Sequence, residues 1–217
     1  MMPQKLIQKI KSEQVDDGSD KWTYRASGNV LELLVLPQFV HNKKAFRCSV
    51  ISAGQALASL KAQYNKAGNE LFIQTFPNIE NPKVICSVRV DDSDYSNIDS
   101  IPETITFESK SNSIDYFLLE TAEKFHLNTQ SAYLSDEVLK MIGIGTHFDH
   151  TYLLVSKLDN PFTWLKTGYL KESIIQYMKL HEPTREYFLY HFSNHREEFK
   201  KHTDLNNGTY LQGILCY

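Results

Sequence analysis

The run from Phe46 to Ala67, Phe-Arg-Cys-Ser-Val-Ile-Ser-Ala-Gly-Gln-Ala-Leu-Ala-Ser-Leu-Lys-Ala-Gln-Tyr-Asn-Lys-Ala, is small and apolar on nearly every side of a helical period, and it stops at Gly68. A helix with no polar face to give to water has to lie inside a fold, with other elements packed around it. Gly68 is the residue type that most readily takes the left-handed conformation at C′, so it sets the end of the helix. Ser52, Ala53, Gly54, Ala56 and Ala58 keep the surface low enough for another backbone to come close on one side. Any architecture for this chain is built round that segment.

The neighbours of this helix are β-rich. Lys21–Arg25 and Val30–Leu36 flank Ala-Ser-Gly-Asn, a hairpin signal. Glu70–Phe76 and Lys83–Val90 read as strands separated by a turn over Pro77–Pro82. Leu6, Ile7 and Ile10 recur at helical spacing, which predicts a helix over Pro3–Gln14 and then a loop through Val15–Asp20. The first half therefore orders as α-β-β-α-β-β, mixed rather than strictly alternating. Asp91–Ser113 is polar and turn-rich and is expected to be a connection crossing the surface, not a domain boundary, so a single domain is expected over 1–217.

Beyond it, Ser113 is placed to cap a helix over Ile114–Phe125, and Ser135–Ile142 carries Asp136 and Glu137 in its first turn, where the helix dipole favours acids. Gly143-Ile-Gly145 stops that helix. Thr151–Lys157 reads as a strand, Asn160-Pro161 opens a helix from Phe162 to about Leu180, and Pro183 opens another running to about His202. Asn206-Asn207-Gly208 leads into a last strand, Thr209–Tyr217, expected at a sheet edge, its own or that of a dimer partner. The fold class is α/β in the α+β sense: an antiparallel-rich central sheet flanked by helices.

Charge and composition narrow the function classes. Lys and Arg total 23 against 26 Asp and Glu, a net charge of −3, with no basic block able to follow a phosphate backbone, so nucleic acid is not an expected partner. No apolar stretch approaches the roughly 18–20 residues of a membrane span, and the first residues lack the apolar core of a secretory signal. Three distant cysteines, Cys48, Cys86 and Cys216, make neither a disulfide framework nor a zinc-knuckle pattern, and a cytoplasmic setting is the expectation.

Three strings resemble the nitroreductase-like FMN-dependent flavoprotein superfamily, in particular the branch whose longer members carry two such halves fused. Leu6-Ile7 and Trp22 fall in register with that family's first helix and the aromatic residue that ends its loop; Arg47 followed by Ile51-Ser52-Ala53-Gly54-Gln55-Ala56-Leu57 matches the opening of its buried helix. Leu153-Leu-Val-Ser-Lys-Leu-Asp159-Asn-Pro161-Phe-Thr-Trp164-Leu165-Lys-Thr-Gly168 matches a strand followed by Asp-x-Pro-x-x-Trp-Leu-x-x-Gly. The resemblance implies a nitroreductase-like fold, a homodimer with FMN at the subunit interface, and an NAD(P)H oxidoreductase that reduces a flat acceptor such as a nitro compound or quinone. The flavin would carry the chemistry, so no catalytic side chain is required. Arg47, Lys21, Trp22, Ser52 and Gly54 are the residues it would place near the cofactor. The loop from Glu13 to Lys21 departs from the family pattern: Gly18 stands where members have Asn, and Asp16 and Asp17 stand where an anionic phosphate would be met.

Each of these residues has an ordinary reading beside the functional one. Arg47 could fork onto a phosphate or form a structural ion pair; Lys21 is solvated in most loops; Ser52 and Gly54 suit close packing; Trp22 and Trp164 suit core anchors as well as stacking slots. His147-Phe-Asp149-His150 and His191-Phe-Ser-Asn-His195 have ligand-like spacing only if helical, and the second lacks the Glu of a zincin. Cys48 near a helix start is either an activated thiol or a small buried hydrophobe. No Gly-x-Ser-x-Gly, P-loop or dinucleotide glycine pattern occurs. The alternative to the oxidoreductase is a non-catalytic protein that binds flavin or another flat small molecule on the same fold; a third reading is a globular dimer with no small-molecule role.

Overall fold

The computed structural model describes residues 3–14, 18–69, 71–78, 80–90, 113–145, 148–192 and 196–217. The protein is mixed α and β, with six α-helices and two four-stranded antiparallel sheets among these residues. Where the sequence argues for one domain over 1–217, the contacts gather into two compact units, Met1–Phe107 and Glu108–Tyr217. The predicted connection over Asp91–Ser113 lies, apart from its last residue, outside the described residues, as does part of the predicted loop at Val15–Asp20.

In the first unit α1 (Pro3–Glu13) precedes the hairpin β1 (Trp22–Ser27) and β2 (Val30–Val35), the long helix α2 (Lys43–Lys66), and the strands β3 (Leu71–Thr75) and β4 (Val84–Val90). The sheet order is β1-β2-β4-β3. Gly28 opens the two-residue hairpin loop with φ of +57°, a conformation that costs glycine little and other residues much. Alternation is clean: Leu31, Leu33 and Val35 of β2 are buried, while Arg25, Glu32, Ser87 and Gln74 form a polar row on the opposite face, with Arg25 and Glu32 paired at 2.5 Å. One face is packed and the other meets water, as an antiparallel sheet permits. As predicted, α2 is buried on every side, continuously from Arg47 to Leu60, and Gly68 follows it with φ of +78°. It begins three residues before the predicted Phe46, because Asn42 caps it by accepting from the Ala45 amide at 3.0 Å.

The second unit holds α3 (Ile114–Lys124), β5 (Asn128–Ser131), α4 (Asp136–Lys140), β6 (Thr151–Ser156), α5 (Pro161–His181), β7 (Phe188–His191), α6 (Arg196–Lys200) and β8 (Tyr210–Cys216). Its sheet runs β5-β6-β8-β7. Two expectations are corrected here. The last strand is not at an edge: β8 lies between β6 and β7 and is buried from Leu211 on, which suits an almost continuously apolar segment. The helix predicted over Pro183–His202 is instead the edge strand β7 followed by the short α6.

Sheet order matches between the units. Each runs α-β-β-α-β-β apart from α4 and α6, and each interrupts its central pairing with one extra residue, Ile85 opposite Leu33/Leu34 and Gln212 opposite Leu154/Val155. The carbonyls of those two residues accept from Phe76 N and Phe192 N at 2.8 and 3.4 Å. Asn160 caps α5 as Asn42 caps α2, and the hydroxyls of Thr167 and Ser49 bond back to Thr163 O and Ala45 O.

The difference lies in the sheet connections. The first unit joins β1 to β2 through Gly28-Asn29; the second places α4 between β5 and β6, and α6 between β7 and β8. Accordingly its sheet is apolar on both faces. Leu154, Leu215 and Tyr217 pack with Phe117, Leu170, Ile174 and Tyr177 of α3 and α5. Leu153, Val155 and Ile214 pack with Val138 and Leu139 of α4 and Phe199 of α6. Among the described residues no helix is long and apolar enough to cross a membrane.

Candidate functional site

The five residues expected near a cofactor all fall in the first unit, and the structure brings only three of them together. Trp22, fully buried, donates from Nε1 to Ser52 Oγ at 3.0 Å; Ser52 Oγ donates to Gln14 Oε1 at 3.1 Å, and Gln14 Nε2 donates to the Ser52 carbonyl at 3.0 Å. Lys21 pairs with Asp20 at 3.0 Å, and its carbonyl accepts from Ser49 Oγ and from the Leu36 amide. Lys11 Nζ donates to the Trp22 carbonyl and lies 4.7 Å from the indole centroid; burial lowers its pKa. These hydrogen bonds tie α1, β1 and α2 into a packed knot.

Gly54 and Arg47 are buried elsewhere on α2, about 160° and 140° away from Ser52 round the helix at about 100° per residue. Gly18 is pressed against α2 so closely that a Cβ there would lie 2.2 Å from the Cys48 carbonyl oxygen. The Asn that stands at this position in the resembled family has no room here. Asp16 and Asp17 lie outside the described residues. Cys48 is 2% exposed, and burial pushes the Cys86 thiol up to about 12, so both behave as small hydrophobes.

The histidine strings lose their helical premise. His191 is on β7, buried, with its Nδ1 3.4 Å from Lys171 Nζ, and His150 stacks on Tyr217 at 5.2 Å; His147 and His195 are outside the described residues. Trp164, like Trp22, is an anchor: Nε1 donates to Asp159 Oδ1 at 2.7 Å, and Arg196 Nη1 donates to Asp159 Oδ2 at 2.9 Å.

A different place has the shape of a site. In the second unit a cleft of about 410 Å³ is lined by two chain segments: Gly143, Ile144, Gly145 and Phe148 after α4, and Arg185, Glu186, Tyr187 and Phe188 leading into β7. Gly143 takes φ of +82° as the chain leaves α4, and together with Gly145 it leaves main chain uncovered by side chains; a Cβ at either would meet nothing within 4 Å. Ile144, Phe148, Tyr187 and Phe188 supply its apolar side chains.

Arg185 is held in position from behind. Its guanidinium lies 4.6 Å from the Tyr217 ring centroid and 4.0 Å from the Glu182 carboxylate. Tyr217 is itself fixed: its hydroxyl donates to Asp115 Oδ1 at 2.6 Å, the Tyr152 hydroxyl donates to the same oxygen at 2.7 Å, and its main chain pairs with His150 in both directions at 3.0 Å. The Tyr217 hydroxyl, then that of Tyr152, holds the Asp115 carboxyl below the usual Asp range, with His150 and Arg185 adding to the effect. Burial, followed by the bond to Asp115, raises the Tyr217 phenol. Asp115 also sits in the first turn of α3, where the helix dipole favours its charge.

Sequence reading picked out Gly143, Gly145 and His150 for other reasons and passed over Arg185, Glu186, Tyr187 and Asp115. The local signal is an Arg followed at once by Glu-Tyr-Phe, but its meaning depends on β7 being a strand that brings these residues beside the segment after α4. A scan against protein-family models matches none of them, and a search of curated proteins finds no significant relative.

Proposed function

We propose that this chain is a non-catalytic ligand-binding protein whose site is the cleft of the second unit. The observation that carries the reading is a cleft of about 410 Å³, lined by three aromatic residues and bare glycine main chain, beside a guanidinium held in place by Tyr217 and Asp115. Small-molecule sites are concave, largely apolar and furnished with a few placed polar groups, commonly of about 300–1,000 Å³. Titration of the ¹⁵N-labelled full chain with benzamide, a flat neutral probe, should shift the amides of Gly143, Gly145 and Phe188. Phe148→Ser should weaken that response severalfold. Unmoved cleft amides at millimolar probe would remove the reading.

A second reading keeps the nitroreductase-like architecture, with a homodimer and an FMN-dependent NAD(P)H oxidoreductase acting on a flat acceptor. What favours it is the convergence of strings that carry the resemblance: Trp22 bonds to Ser52 of the Ile51–Leu57 stretch. Purified protein incubated with FMN and passed through gel filtration should then keep the flavin's visible bands and run as a dimer. Colourless monomer would eliminate it.

A further inference from the structure

We infer that the cleft of the second unit selects a cationic planar ligand, of the aryl amidinium or guanidinium class, and that Glu186 is its counter-ion. The inference rests on the reading of the cleft as a ligand site and adds the charge of what it takes.

The groups facing the cleft decide the sign. Among the described residues Arg185 is the lining's positive charge, and it is already engaged: Glu182 lies 4.0 Å away, the Tyr217 ring stacks on its guanidinium, and Asp115 stands behind that ring. Glu186 is the lining's negative charge, and it is exposed, with no ion pair among the described residues. An anion entering the cleft would meet a cation already matched by Glu182 and, in Glu186, an unmatched acid. A cation would meet an unmatched carboxylate in a lining that includes Phe148, Tyr187 and Phe188, a class of side chain whose ring faces attract positive charge. The molecule shows the same preference internally, since a guanidinium, that of Arg185, lies over a tyrosine ring at the margin of this cleft. A planar delocalised cation is the form that combines ring stacking with a directed contact to one carboxylate.

The test uses three probes of nearly one shape and different charge on the full chain: benzamidine, cationic at neutral pH, benzamide, neutral, and benzoate, anionic. Affinities are read from amide shifts at Gly143, Gly145, Tyr187 and Phe188. Benzamidine should bind about tenfold tighter than benzamide, the size expected from one exposed ion pair plus a cation–π contact, and benzoate should be weakest. Glu186→Gln, on an exposed side chain, should remove the ion-pair share of benzamidine's advantage, leaving it within about threefold of benzamide, with benzamide itself unchanged, and raised salt should do part of the same. Equal affinities, or benzoate tightest, would overturn the charge assignment while leaving the cleft a binding site. No response to any of the three would overturn the site itself.

Discussion

Replacing Asp159 by Ala should be among the most damaging single changes to the second unit. Its carboxylate accepts from Trp164 Nε1 at 2.7 Å and Arg196 Nη1 at 2.9 Å, with the Gln212 amide at 3.5 Å; the Asp and Arg side chains are 11% and 14% exposed. It therefore ties the β6–α5 junction to α6 and β8. Removing one partner of a buried pair costs about 3–5 kcal/mol, because the remaining charge is left desolvated. The small residual exposure moves this site to the low end, and the lost indole bond adds about 1 kcal/mol. We expect a loss of about 3–4 kcal/mol for Asp159→Ala. Asp159→Asn should lose about 2 kcal/mol, since the amide can still accept from the indole but has lost its charge toward the guanidinium. The assay is urea unfolding followed by circular dichroism, with amide exchange at Leu153–Val155 and Leu211–Leu215 reporting on the second unit alone. A double-mutant cycle with Arg196→Ala should return a coupling of about 2 kcal/mol. A loss below about 1 kcal/mol for Asp159→Ala, or strict additivity with Arg196→Ala, would refute the role assigned to this carboxylate.

Three further outcomes are expected. Gly18→Asn should destabilise the first unit by about 2 kcal/mol in the same urea assay, because its Cβ has to displace main chain at Cys48, and it should not raise affinity for FMN. The contribution of Asp115 to stability is present above the ordinary Asp range, about pH 3.9, and is lost as pH falls through its lowered folded value; Tyr217→Phe should return its carboxyl ¹³C titration toward that range. Cys86, raised to about 12 and inaccessible, should resist a thiol-specific disulfide reagent at pH 8 until urea unfolds the chain, and rapid native labelling would contradict its burial.

What the sequence made legible was whatever local chemistry decides. The α2 helix, its glycine stop and the Gly28-Asn29 hairpin follow from side-chain size, left-handed backbone and alternation within a few residues. The strands that escaped are settled by pairing. Asn128–Ser131 is wholly polar and forms β5 because Asn128 to Ser131 meet Val155 to Tyr152 across β6. Phe188–His191 follows a helix-opening proline, yet pairs with Gly213–Cys216, a partner more than twenty residues away along the chain. With β7 read as helix, β8 is left at an edge and Arg185–Phe188 are not seen as the lining of a cleft. The site was missed for the same reason as the strand. Asp159 and Trp164 were found through a resemblance, and the structure gives that spacing a local purpose: the indole closes on the carboxylate across the start of α5.

The contrast between the two sheets sets how each unit tolerates changes in chain length. In the first, the face bearing Arg25, Glu32, Ser87 and Gln74 meets water and already leaves Phe72 57% exposed, so the Gly28-Asn29 link can accept extra residues without any of them having to cover it. In the second, Leu153, Val155 and Ile214 rely on Val138, Leu139 and Phe199 above them. Trimming the 132–150 connection to a tight turn would uncover a continuous greasy plane open to other chains. With one strand order in both units, the first offers a joint that can lengthen, and the second has one that cannot be shortened.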